Sequence, residues 1–315
     1  MINCYYYAFV KCYCVKAQHV FVLLLKKPLE GKIAVVGGSS RGAGRGIALA
    51  LGDAGATVYV AARTSRSGPT PADDVPGTIE DTAEEVSRRG GAGIAVRCDL
   101  GDEAQVSALF ARVEKEQAGL DLAVNAAWGG NLIDSWSKRF WNLPSDAYRE
   151  TAHSVDTYWW TSVYTARLMS RQKRGLIVFV TDNFYPDPHA SRGQVLYDLG
   201  HEALNRLITC MSRDAKKDHF AIVGMNPGFM RTERVQIHMR QEGARKQFRY
   251  DLSESPEYIG RAVAALAADP EASRRNGELL WACDLAEQYG FTDIDGRRVP
   301  RFDPNAPIYE PGLAF

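Results

Sequence analysis

The sequence predicts a three-layer, doubly wound α/β fold with about seven parallel strands, and three observations predict it. Short runs rich in β-branched residues recur along the chain, separated by stretches long enough for helices. Those longer stretches space their apolar residues three and four apart, the period of one buried helical face. The first strand-like run, Lys32-Ile33-Ala34-Val35-Val36-Gly37, meets a glycine cluster that leads straight into a helical pattern. Alternation of this kind gives parallel strands joined by right-handed crossovers, with helices on both faces of one sheet.

In chain order the strand-like runs fall at 32–37, 56–62, 93–98, 120–125, 176–180, 220–225 and 278–282. Helical spacing marks 102–117, 145–169, 194–215 and 256–268. The Gly- and Pro-rich stretch 64–77 reads as a loop after the second strand, not as a boundary. With no internal repeat and no long linker, 29–290 reads as one domain with an integral substrate site. Residues 291–315 follow as a tail that caps the substrate side.

Residues 1–28 differ from the rest. They are apolar and rich in Tyr and Cys, but Lys11 and Lys16 break the apolar runs well short of the roughly 20 residues a bilayer span needs. Lys26-Lys27-Pro28 stands where a secretory signal would carry a small-residue cleavage site. Cys12-Tyr13-Cys14 lacks a second pair of suitably spaced ligands, so no metal site is expected. The segment reads as a non-catalytic extension, with an upstream start or membrane association as alternatives; stable membrane insertion is not expected.

The 38 acidic and 38 basic residues balance. That balance gives no electrostatic footprint for nucleic acid or an anionic membrane. Six cysteines, three in 1–28 and three scattered through the body, suggest no disulfide framework and fit a reducing, cytoplasmic setting.

The glycine turn carries the first functional expectation. Gly38, Gly42 and Gly44 let the backbone turn sharply and approach phosphate oxygens that a Cβ would exclude. A strand, a tight turn and a helix N-terminus, in that order, make the dinucleotide-binding arrangement of a Rossmann fold. At the end of the second strand an NAD-selective site usually places Asp or Glu; here Arg63 stands there, and Arg41 lies in the turn beside Ser40. Two guanidinium groups there suit the 2′-phosphate of NADP, the alternative being that both are simply solvated. Asp99 is a candidate acceptor for the adenine amine, or an ordinary turn aspartate.

From about residue 29 to 281 the chain resembles the short-chain dehydrogenase/reductase family. Gly38-Ser39-Ser40-Arg41-Gly42-Ala43-Gly44 matches the family's Gly-x-x-x-Gly-x-Gly, and Val124-Asn125-Ala126-Ala127 stands at its Asn-Asn-Ala-Gly position. Tyr197 opens a helix after the fifth strand. Pro227-Gly228-Phe229-Met230-Arg231-Thr232 matches the Pro-Gly-x-x-x-Thr segment that flanks the nicotinamide. The stretch Cys283-Asp284-Leu285-Ala286-Glu287-Gln288-Tyr289-Gly290 looks like that of the member 1 dehydrogenase/reductase branch. The resemblance implies NADP(H) held by Gly38, Ser40, Arg41, Gly42, Gly44, Arg63, Asp99, Asn125, Ala126, Tyr197, His201, Pro227, Gly228 and Thr232. It implies a small-molecule substrate, and a homodimer or homotetramer built on the helices at 145–169 and 194–215.

In the family, Tyr exchanges a proton with the substrate oxygen while hydride moves to or from nicotinamide. A Lys four residues on favours tyrosinate and bonds the ribose, and a Ser holds the substrate oxygen. This sequence departs from that set. His201 stands where Lys is expected, Thr181-Asp182 where a Ser pair stands, and Ser154 at the helix Asn position, with His153 or Asp156 as neighbours in an adjacent register. Tyr197 alone is kept.

Two readings follow. In one, Tyr197 still supplies the proton and His201 bonds the ribose or holds a water relay, though a neutral imidazole tunes a phenol far less than lysine does. Asp182 then raises the cationic character of His201 or orients a cationic substrate such as an iminium, so that a carbonyl, alcohol or imine is the expected substrate group. In the other, the chain binds NADP(H) as a redox-silent or repurposed module. Tyr185, Asp187 and His189 are further pocket candidates in a loop, and Trp128, Trp136, Trp141, Trp159 and Trp160 suggest an aromatic wall or a subunit interface. Trp159 and Trp160 are expected to pack in the core or between helices. No hydrolase elbow or zinc pattern occurs.

Overall fold

In the computed structural model the described residues are 27–68, 74–128, 138–182, 194–241 and 249–303. Residues 1–26 of the expected extension 1–28, residues 304–315 of the expected tail, the loop candidates Tyr185, Asp187 and His189, and Trp136 lie outside them.

Seven parallel strands form the main sheet: β1 Ile33–Gly37, β2 Thr57–Ala62, β3 Ala92–Arg97, β4 Leu122–Asn125, β5 Leu176–Val180, β6 Ala221–Asn226 and, at the far edge, β9 Leu279–Trp281. Their order is β3-β2-β1-β4-β5-β6-β9. A second, two-stranded sheet pairs β7 Phe229–Met230 with β8 Ser253–Glu254. The helices are α1 Gly42–Asp53, α2 Ile79–Arg88, α3 Glu103–Glu116, α4 Ala147–Gln172, α5 Val195–Lys217, α6 Glu233–Gln241, α7 Pro256–Ala268 and α8 Ala282–Tyr289.

Both faces of the sheet are covered because its strands are apolar on successive residues, not on alternate ones. In β1, Val36 joins a core with Ile47, Leu49, Val58, Ile259 and Val263, while Val35 joins the opposite core with Tyr59, Phe110, Tyr158, Phe179 and Ile208. Each such side chain contributes roughly 1.5–3 kcal/mol by leaving water.

Local chemistry sets the helix ends. Asp102 caps α3 by accepting from the backbone of Ala104 and Gln105, and Thr78 caps α2 by accepting from Asp81. Gln194 caps α5 through the backbone N–H of Tyr197 at 2.6 Å, and Gly290 closes α8 in the left-handed region. The sequence pattern did not single out α2, α6, α8 or the β7–β8 pair. The two short strands carry no period at all, and their pairing is a product of tertiary packing.

Trp159 is 43% exposed on α4, which rules out core packing and leaves helix pairing for it, whereas Trp160 packs against the core. The helical period explains why, since two adjacent residues on α4 point about 100° apart.

Candidate functional site at the carboxyl edge of the sheet

Strand order reverses between β1 and β4, and ligands of open α/β sheets bind outside the carboxyl ends of the strands at such a point. Register brings the sequence candidates to that edge. Gly37 pairs with Asn125, Asn125 with Phe179, and Val180 with Met225, so the segments after β1, β4, β5 and β6 leave side by side.

The glycine turn is shaped by contact. Gly38 has φ +75°, and a Cβ there would stand 2.6 Å from the Ala127 Cα. A Cβ on Gly44 would stand 2.3 Å from the carbonyl oxygen of Gly38. Gly42 (φ +55°) has open space, with only the Thr232 methyl at 3.7 Å from such a Cβ. Its backbone N–H donates to Glu233 Oε2 at 2.8 Å. The N-terminus of α1 therefore already receives an anion, and the turn fits the diphosphate of a nicotinamide dinucleotide.

Ser40 is buried beside the turn, and the Arg41 guanidinium donates to Thr64 Oγ1 at 3.1 Å and to the Gly77 carbonyl at 3.3 Å. Arg41 thus reaches the loop that follows β2, while Arg63 is exposed at the end of that strand. Asp99 Oδ1 accepts from the Gly101 N–H at 3.1 Å and lies 3.4 Å from His153 Nε2. Asn125 is buried and donates to Ser162 Oγ at 3.3 Å, and the Ala126 N–H donates to the Gly37 carbonyl. Ser154 is buried within α4 and donates to the Glu150 carbonyl one turn back.

The proton-handling candidates form one connected group. The Tyr197 phenol donates to Asp182 Oδ2 at 2.8 Å. Asn226 Nδ2 donates to the other carboxylate oxygen at 3.3 Å, and Asn205 Nδ2 donates to the Asp182 carbonyl at 3.0 Å. With its amide nitrogen so used, Asn205 turns Oδ1 to Thr181, whose hydroxyl donates to it at 2.9 Å. Thr181 Oγ1 also lies 3.4 Å from His201 Nδ1, which joins the imidazole to the same group.

His201 is held on both sides. The Trp128 indole stacks on it with centroids 4.2 Å apart and planes 18° apart, and the Tyr197 ring lies 4.3 Å away, tilted by 50°. Gly200 admits the indole: a Cβ there would stand 2.5 Å from Trp128 Cη2. The fully buried Tyr158 fixes the end of β5 by donating to the Val180 carbonyl at 2.6 Å, and burial raises its phenol pKa.

Behind the Pro227–Gly228 turn lies Glu254, 1% exposed. Its Oε2 accepts from the Gly228 N–H at 2.9 Å, while Oε1 is buried with no hydrogen-bond partner among the described residues. Burial pushes this carboxyl up to about 8, against the lowering effect of the Gly228 N–H. Thr232 Oγ1 accepts from the Val235 N–H and so caps α6 beside the glycine turn.

Sequence reasoning missed Asn205, Asn226, Gly200, Glu233 and Glu254. Tyr197, His201 and Asn205 are spaced by four along α5, so helical spacing was a usable signal for Asn205. Glu254 gave none, because its place depends on the pairing of β7 with β8.

A model of the short chain dehydrogenase family matches residues 32–243. The chain is 37% identical over 283 residues to the Mus musculus protein dehydrogenase/reductase SDR family member 1, covering 86% of each, and 35% identical to the Homo sapiens protein of that name over the same length. It is 25% identical over 255 residues to the 7alpha-hydroxysteroid dehydrogenase of Escherichia coli K12, covering 80% of this chain and 92% of that one. Among solved structures, a putative dehydrogenase from Xanthomonas campestris shares the fold with a TM-score of 0.73 at 23% identity, over 91% of this chain and 99% of that one.

Proposed function

Because the chain belongs to the short chain dehydrogenase family, an oxidoreductase family that binds nicotinamide cofactors, we propose that it is an NADP(H)-dependent oxidoreductase acting on a carbonyl, alcohol or imine of a small or medium organic molecule. The observation that carries this reading is the Tyr197–Asp182 hydrogen bond at the carboxyl edge, next to a glycine turn that receives an anion. The reach of Arg41 toward Thr64 supports the phosphorylated cofactor.

Gly38, Ser40, Gly42 and Gly44 would cradle the diphosphate, Arg41 and Arg63 the 2′-phosphate, Asp99 the adenine, and Asn125, Ala126, Pro227, Gly228 and Thr232 the nicotinamide half. When bound, the cofactor supplies or accepts the hydride. The chain's own residues manage the proton. Tyr197 holds it at its phenol oxygen, hydrogen-bonded to Asp182, which replaces the family's serine. In oxidation Tyr197 would pass its own phenol proton to Asp182 as it takes the proton of the substrate; in reduction the same relay would run in reverse, from protonated Asp182 through Tyr197 to the substrate oxygen or nitrogen. His201, beside Thr181 and stacked on the Trp128 indole, would bond the ribose or hold a water relay. Ser154 lines the helix behind the site. The protein is proposed to work in the cytoplasm as a homodimer or homotetramer.

The test is a fluorescence titration of the purified chain with NADPH and NADH. Tighter binding of NADPH by tenfold or more is expected, and equal or reversed affinities would defeat the cofactor assignment. The activity is then read in His201→Lys and His201→Ala. Loss in the alanine variant without gain in the lysine variant marks a repurposed site, and a gain of carbonyl reduction in the lysine variant marks a weakened one. NADPH binding without turnover of any carbonyl, alcohol or imine in a substrate panel would point to the redox-silent reading.

A further inference from the structure

The helix that would receive the cofactor's diphosphate is capped by a distant part of the chain. α1 begins at Gly42 with no capping side chain on Arg41 and no acidic residue in its first turn. Its leading N–H groups and the helix dipole attract a negative charge, which the local sequence does not provide. Glu233, 191 residues away along the chain, provides it by accepting from the Gly42 N–H at 2.8 Å.

Glu233 is the first residue of α6 and follows Thr232, whose methyl lies beside Gly42. The loop that leads to it starts at the carboxyl end of β6 and runs through Pro227 and Gly228. One continuous segment therefore carries both the turn assigned to the nicotinamide and the carboxylate seated on the diphosphate helix. The Gly42 N–H has one hydrogen to give. A carboxylate and a phosphate oxygen cannot both take it at hydrogen-bond distance, and two anions placed there repel.

We propose that Glu233 is an internal competitor for the cofactor: its carboxylate holds the diphosphate seat in the cofactor-free chain and must withdraw for NADP(H) to bind. The inference rests on the reading of this site as an NADP(H) site. Glu233 then sets cofactor affinity, and it acts on the diphosphate part of the ligand alone. Because Glu233 opens α6, its withdrawal also loosens the segment that borders the substrate side, so cofactor entry and the position of α6 are coupled.

The test compares the full-length chain with Glu233→Gln and Glu233→Ala by NADPH fluorescence titration, with adenosine 2′-monophosphate as a second ligand measured by calorimetry. That nucleotide carries the adenosine and the 2′-phosphate but no diphosphate. The alanine variant is expected to bind NADPH on the order of tenfold more tightly, and the isosteric glutamine variant to fall between it and the parent. Affinity for adenosine 2′-monophosphate should stay within about twofold. Unchanged or weaker NADPH binding in both variants, with unaltered circular dichroism, overturns the inference, as does equal tightening of both ligands. If the parent and both variants fail to bind NADPH, the cofactor reading falls and this inference with it; that result differs from the first because there the parent still binds.

Discussion

In the proposed reaction, Tyr197 is the residue on which the chemistry turns. Removing its phenol oxygen takes away the group that exchanges the proton, and general acid–base catalysis of this kind contributes about 10²–10⁴ in rate. Tyr197→Phe is expected to lower turnover by that factor while NADPH affinity, read by fluorescence, stays unchanged. Glu254 gives a prediction on stability. Burial raises its carboxyl from the usual glutamate value of 4.5 to about 8. Between those two values the folded chain keeps a proton that the unfolded chain releases, so this group makes stability fall as pH rises through the window. Melting temperatures taken from pH 5 to pH 8 should decline in the parent and decline less in Glu254→Gln. A steeper decline in the variant would contradict the assignment. Asp293 and the Arg231 guanidinium lie close to Glu254 and act in opposite directions, Asp293 raising and Arg231 lowering its pKa.

At the scale of elements, glycines decide how closely the helices approach. A Cβ on Gly46 would meet the Pro256 carbonyl oxygen at 1.9 Å, and a Cβ on Gly260 would meet the Gly46 carbonyl oxygen at 2.5 Å. α1 and α7 therefore cross backbone to backbone, which sets α1 and its N-terminus against the sheet. Gly46→Ala forces these helices apart, and a loss of about 1–3 kcal/mol or more is expected, measured as a lower denaturation midpoint. Gly200 has a similar part between α5 and the Trp128 indole. Gly200→Ala is expected to displace the indole from His201, seen as a red shift in tryptophan emission together with reduced activity. An unchanged emission spectrum would show that the stack survives.

For the whole molecule, the open question is assembly. α4 and α5 are the long helices assigned to the subunit contact, and Trp159 of α4 and Leu199 of α5 are exposed, at 43% and 50%. A large apolar side chain left in water on a helix face has a cost that burial against a second copy removes. Trp159→Arg is expected to halve the mass seen by light scattering. An unchanged mass would place the contact elsewhere.

The sequence by itself determined the sheet and the glycine turn. Alternating β-branched runs and helical periods recur over a few residues each, so local spacing was enough to find all seven strands of the main sheet, with ends within about two residues. Gly38, Gly42 and Gly44 were legible because backbone conformation at a turn is a local property. The tertiary structure decided which side chains meet. Asp182, Asn205 and Asn226 come together only because β5 and β6 end at one edge and α5 packs beside it, and Glu254 depends on a pairing of two-residue strands with no sequence period. Glu233 reaches Gly42 across 191 residues, and no spacing rule extends that far. Sequence fixes a structure locally through steric and hydrogen-bond preferences of neighbours, whereas a site is assembled from loops that the packed core carries to the same place.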